Sequence, residues 1–180
     1  YSLYQSLEKV LRYLAANDGE AMEAAYKAFS CFEPYRDDPQ AYAAAAGRLV
    51  PKGCEEEVVS MLQEVRERLP AGGNHEEAAF NNEQNALVAV NAERYYRTMM
   101  RGGGASWNVR DRHMMDTLAR LLDYHGSDSK AIVWAHNTHI GDARATDMSE
   151  VGMFNLGQLA REDYGREACF LVGFGAYMGS

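Results

Sequence analysis

Lys130-Ala-Ile-Val-Trp-Ala-His-Asn-Thr-His-Ile-Gly-Asp-Ala-Arg144 is the stretch on which the fold turns. Its first six residues form a short apolar run, which predicts a buried strand. Residues 136–144 then crowd two imidazoles, an amide, a carboxylate and a guanidinium into nine positions. Gly141 offers a turn within the cluster. Polar residues just past the carboxyl end of a strand in an α/β sheet are where ligands usually bind. Histidine titrates near neutral pH, so two of them there point to proton transfer or metal binding.

Downstream, the pattern predicts a helix from 148 or 150 to 164 and a second strand over 168–174. Strand, helix and strand in this order fit a right-handed β-α-β unit. Two strands alone make no stable sheet, so further strands are expected from more sequence or from a partner. Upstream, the texture is helical. Leu3, Leu7, Val10, Leu11 and Leu14 recur at helical spacing, Asn17-Asp18-Gly19 interrupts them, and helix formers resume over 20–29. Helices are predicted over 41–49, 54–69, 76–100 and 109–124, the last capped by Ser106 or Asn108. Residues 32–39 read as a loop and 70–74 as a turn or linker. The predicted class is helix-rich α/β. A helical bundle portion spans 1–125, and a β-α-β element of a larger, mainly parallel sheet spans 126–180.

Composition narrows the function. The 180 residues suffice for one ordinary domain with a real core. They carry 26 acidic and 18 basic side chains, a formal net charge of −8, which argues against nucleic acid as the main partner. No apolar run approaches a membrane span, and no leader is visible, so a cytoplasmic protein is expected. The absence of an initial Met suggests a piece of a longer chain. Cys31, Cys54 and Cys169 are odd in number and widely spaced. They read as thiols of a reducing compartment, with Cys31–Cys54 pairing as the alternative in an oxidising one.

Three groups of residues carry candidate chemistry. In the first, His136 and His139 could serve as general base, proton carrier or metal ligands, flanked by Asn137. Asp142 could orient an imidazole, and Arg144 could clamp a carboxylate or oxyanion. The zincin spacing His-Glu-x-x-His is not met. In the second, Trp107, Arg110, Asp111 and His113 stand near the start of a predicted helix. Trp107 and His113 could line a pocket, whereas Asp111 could simply complement the helix dipole and the charges form a solvated cluster. In the third, Glu83 lies in Asn82-Glu-Gln-Asn85, a polar face of the longest helix.

The strings FNNEQNALVAVNAERYYRTMM, SWNVRDRHMMDTL, IVWAHNTHIGDARATDM, GQLARE and LVGFGAYMGS together resemble the erythromycin esterase family. YSLYQSLEKVLRYL and CFEPY are similar to its helical portion, so the resemblance covers essentially the whole chain. It implies metal-independent or loosely metal-associated hydrolysis of an ester, in the best-known case a macrolide lactone. It places the two histidines of the AHNxHxGD motif, His136 and His139 here, in the active-site cleft. It also implies a water-activating Gly-Glu-x-x-His-Gly motif, which these residues do not contain. The 180 residues are therefore expected to hold half the site and to be nearly inactive alone, since a missing general base costs about 10²–10⁴-fold.

Three functions follow as expectations. The first is histidine-assisted hydrolysis of a small-molecule ester or lactone, with no cofactor. The second is a hydrolase using His136 and His139 as ligands of a divalent metal, completed by Glu83 or His113. The third is a non-enzymatic interaction module that docks on another chain or on a missing segment, or forms an oligomer. Nothing in the residues encodes a macrolide.

Overall fold

The computed structural model describes residues 2–48, 53–68, 77–102 and 104–175. The predicted turn at 70–74 and the neighbouring His75 lie outside the described residues. The chain forms two compact units, Tyr1–Gly102 and Gly103–Ser180.

In the first unit, α1 (Leu3–Asn17), α2 (Met22–Phe32), α3 (Pro39–Arg48), α4 (Glu55–Glu67) and α5 (Glu77–Met99) form a bundle. Each helix follows from its apolar spacing. Leu3, Leu7, Val10 and Leu14 bury one stripe of α1, and Val58, Met61, Leu62 and Val65 bury one stripe of α4. α5 packs against α1, α3 and α4. Its buried residues include four alanines, Ala79, Ala86, Ala89 and Ala92, at which neighbouring helices can approach closely.

Two links set the register of this bundle. Cys31 at the end of α2 and Cys54 just before α4 form a disulfide, with Cα atoms 5.9 Å apart. This corrects the expectation of reduced thiols: the bundle brings together two cysteines whose proximity no local spacing rule reveals. Beside it, the buried Tyr42 hydroxyl accepts from Cys54 N–H at 2.8 Å and donates to Glu93 Oε1 at 2.9 Å. Glu93, itself buried, also accepts from Arg97 at 3.1 Å, which reaches on to Glu55 at 2.7 Å.

The second unit contains α6 (Ala105–His125), α7 (Asn137–Ile140) and α8 (Leu156–Tyr164), with single 3₁₀ turns between and after them. α6 packs on α8 around Met115, Leu156 and Leu159. The expected caps Ser106 and Asn108 fall inside the first turn of α6, which starts after Gly104. α6 stops at Gly126, whose φ of +93° favours glycine. α8 begins later than its pattern suggested, because Asn155 caps it by accepting from Gln158 N–H at 2.9 Å.

The predicted β-α-β element does not form. Among the described residues there is no strand, and 130–135 and 169–175 carry no regular structure. A strand exists only through a ladder of N–H···O=C bonds to another strand, and these two segments make none to each other. Side chains link them instead. The Asn137 carboxamide donates to Phe174 O and accepts from Phe174 N–H at 3.2 Å, and the Trp134 and Phe174 rings meet at 5.5 Å. The apolar run predicted to be buried is therefore open, with Ile132 95 % and Trp134 83 % exposed, and Phe170 in the second segment is 93 % exposed. The chain is helix-rich without a sheet among its described residues, not α/β.

Two stability predictions follow. Replacing Cys31 and Cys54 together by Ala is expected to destabilise the bundle by about 3 kcal/mol, through loss of a closed loop. Reductant should lower the melting temperature of the native protein and leave the double variant unchanged. Equal melting with and without reductant would sink the link. Gly157 of α8 sits against α7, and a Cβ there would lie 2.1 Å from the Gly141 carbonyl oxygen and 2.3 Å from that of Ile140. Because both obstacles are backbone, Gly157→Ala should cost about 1–3 kcal/mol, read as a lowered melting temperature.

Candidate functional site

The second unit gathers one compact polar cluster. Arg110 and Asp111 stand three and four residues after Trp107 on α6, so both neighbour it on one face. His139 comes from the last turn of α7. Asp111 is fully buried. Its oxygens accept from His139 Nδ1–H at 2.8 and 3.0 Å and from Leu156 N–H at 2.9 Å. The other imidazole nitrogen, Nε2, lies 3.0 Å from Arg110 Nη2. A guanidinium can only donate, so Nε2 accepts and the ring proton sits on Nδ1, facing Asp111.

Trp107 forms the floor. Its indole stacks on the His139 ring with centroids 4.5 Å apart and planes 4° from parallel. The Arg110 guanidinium lies 5.0 Å from the same indole. Trp107 Nε1–H donates to Phe154 O at 2.7 Å, and Asn108 both donates to Gly152 O at 2.9 Å and accepts from Phe154 N–H at 3.1 Å. Asn155 ties the remaining pieces together. Beyond capping α8, it donates to Thr138 O at 2.9 Å and accepts from Ala143 N–H at 3.3 Å.

The other predicted residues are placed differently. His136 is exposed and caps α7, its Nδ1 accepting from Thr138 N–H at 3.3 Å and lying 3.0 Å from the Thr138 hydroxyl. Asn137 is spent on Phe174. Asp142 orients no imidazole among the described contacts. It accepts from Arg144 Nε at 2.9 Å and Nη2 at 2.7 Å, with Arg161 Nε at 3.7 Å. Hydrogen bonds from Arg144, above all, hold its carboxyl below the usual aspartate value. Arg144 also reaches Glu162 at 3.4 Å. His113 is half-buried on α6, and burial lowers its imidazole pKa. Glu83 belongs to the first unit, where it pairs with Arg66 at 2.8 Å.

Asn155 and the Leu156 backbone are parts of the site that the sequence pattern did not single out, and Asn108 stood out only as a candidate cap. A cap signal, Asn immediately before an apolar helical pattern, was available for Asn155. Among the described residues, no three His, Cys, Asp or Glu side chains are grouped to hold a metal ion. The donor set also fits a metal poorly on its own terms, since both ring nitrogens of His139 are engaged, by Asp111 and by Arg110. A void of about 110 Å³ lies elsewhere, in the first unit beside Tyr13, Asn17, Asp18 and Arg68, and no histidine lines it.

Burial raises the Asp111 carboxyl above its ordinary value of 3.8, against the lowering pull of His139 and Leu156 N–H. The folded state therefore holds this proton more tightly than the unfolded chain. The resulting stability is full below 3.8 and is lost as pH rises through the folded value. Melting temperature of the native protein minus that of Asp111→Asn is expected to increase on acidification through this window. A difference that does not change with pH would contradict the assignment.

Comparison with known proteins places this chain in a family. No solved structure matches the chain. Among the described residues, no helix is long and apolar enough to cross a membrane. A family model described as erythromycin esterase matches residues 1–180, the whole length. The chain belongs to the erythromycin esterase family.

Proposed function

We propose that the protein hydrolyses an ester or lactone of a small molecule, and that the cluster around His139 is this chain's share of the active site. The carrying observation is the unbroken chain of contacts from buried Asp111 through His139 to Arg110, on the face of Trp107. An oriented cation suits attack of water on an acyl carbon, because negative charge develops on the carbonyl oxygen, and the fixed imidazole tautomer holds that cation in place. His136 complements them. With Nδ1 accepting from Thr138 N–H, its neutral ring carries the proton on Nε2 and can donate to an oxygen. The water-activating motif implied by the resemblance is not among these residues, so the base is assigned to none of them.

The site chemistry does not select a macrolide over other esters. Pocket shape governs that choice, and small apolar differences discriminate only about 10–200-fold. The Cys31–Cys54 disulfide favours an oxidising compartment and weighs against the cytoplasmic expectation.

The test is turnover of the complete native protein on a panel of lactones and aryl esters, read as acid release, beside His136→Ala and His139→Ala. Both variants are expected to lose about 10²–10³-fold in kcat/KM. His136→Ala should keep its melting temperature, whereas His139→Ala should stay folded by circular dichroism but melt lower, because buried Asp111 loses its partner. Cleavage of no ester in the panel, or full activity in both variants, would remove the reading.

A further inference from the structure

We propose that Arg110 is the group that meets the substrate, binding an anionic oxygen next to carbon, and that His139 and Asp111 act through it as positioning residues. The proposal rests on the hydrolase reading of this cluster and assigns the roles within it. The direction of the hydrogen bonds carries the argument. Arg110 Nη2 donates to His139 Nε2, and His139 Nδ1 donates to Asp111. In this state the imidazole offers no lone pair to a water and no proton to a leaving group. What it does offer is a fixed acceptor that holds one corner of the guanidinium.

The surroundings of Arg110 point the same way. Arg66, Arg97 and Arg144 each face a carboxylate, at 2.8, 2.7 and 2.7 Å. Arg110 is half-buried and, among the described residues, forms no close ion pair: the His139 ring and the indole face of Trp107 hold it, and the buried Asp111 carboxylate acts on it only at longer range. Its Nε–H is buried with no hydrogen-bond partner. A guanidinium that is partly desolvated and under-satisfied is costly until an anion completes it. It is also planar, permanently charged and oriented before the anion arrives, as a preorganised donor to a developing oxyanion must be. Two ligands share this chemistry: the planar carboxylate of a product acid and the tetrahedral oxyanion that forms when water adds to the acyl carbon.

Calorimetric titration of the complete protein at low salt tests the assignment, with benzoate as the planar probe and phenylphosphonate as the tetrahedral one. Arg110→Ala is expected to weaken whichever probe binds by about 10–100-fold, the worth of a charge-assisted hydrogen bond, with Arg110→Lys in between. Tighter binding of phenylphosphonate assigns Arg110 to the oxyanion, and tighter benzoate assigns it to the acid product. His139→Gln, whose carboxamide oxygen can accept from the guanidinium in place of Nε2, should keep binding and kcat far better than His139→Ala. Asp111→Asn should lose both, because its amide N–H would push the ring proton to Nε2, against Arg110. Circular dichroism and melting temperature check that each variant is folded.

Failure of the native protein to bind either probe, or native-like binding by Arg110→Ala, overturns the proposal. So does a His139→Gln variant that binds normally yet loses activity as fully as His139→Ala, since that makes the imidazole a proton carrier. Arg110-dependent binding without cleavage of any ester removes the hydrolase reading and leaves the anion site. Ester cleavage that is indifferent to Arg110→Ala does the reverse.

Discussion

Asp111 does two jobs with one carboxylate. Its oxygens accept from Leu156 N–H, a donor in the first turn of α8 that has no partner within its own helix, and from the Nδ1–H of His139 on α7. A negative charge is also favoured at that end of α8 by the helix dipole. The contact that joins α6 to α8 is therefore the contact that fixes the imidazole. Stability and site geometry cannot be varied separately at this position, and everything outward of it, the tautomer, the Arg110 orientation and the stack on Trp107, inherits its placement.

The first unit uses a related device. Glu93 of α5 is buried like Asp111, and it too is shared between elements, taking the Tyr42 hydroxyl from α3 and Arg97 from its own helix. Tyr42 passes the link on to Cys54 N–H at the head of α4, where the disulfide arrives from α2. In both units a single buried carboxylate converts loosely specified helix packing into one arrangement. Leaving such a charge unpaired in a low-dielectric interior is far more costly than misplacing a leucine.

What could be read from the sequence follows the range of the interactions. The helices α1 to α5 were legible because their apolar spacing is local, as were the central residues of α6 and α8. The polar surroundings of His139 were legible from the density of chemistry around it. The missing sheet was not, because an apolar run such as 130–135 states only that burial would be favourable, while a strand also needs a partner to supply its ladder. The carboxylate that orients His139 was misread for the same reason. Asp142 is three residues away and was the natural candidate, but it is taken by Arg144, whereas Asp111 is 28 residues distant and reaches the ring only through the fold. The disulfide likewise joins cysteines 23 positions apart that only the bundle brings together.

Asn137 stands in for a peptide group: its carboxamide gives Phe174 the donor and the acceptor that a neighbouring strand would give. That makes the polar part of this junction depend on one side-chain amide in an exposed position, beside the Trp134–Phe174 ring contact. Deamidation there adds a single mass unit and replaces the N–H donor by a carboxylate oxygen, which faces the Phe174 carbonyl with like charge. Chemical ageing of one residue would then weaken this junction and, because Asn137 is also the first residue of α7, disturb the short helix that carries His139.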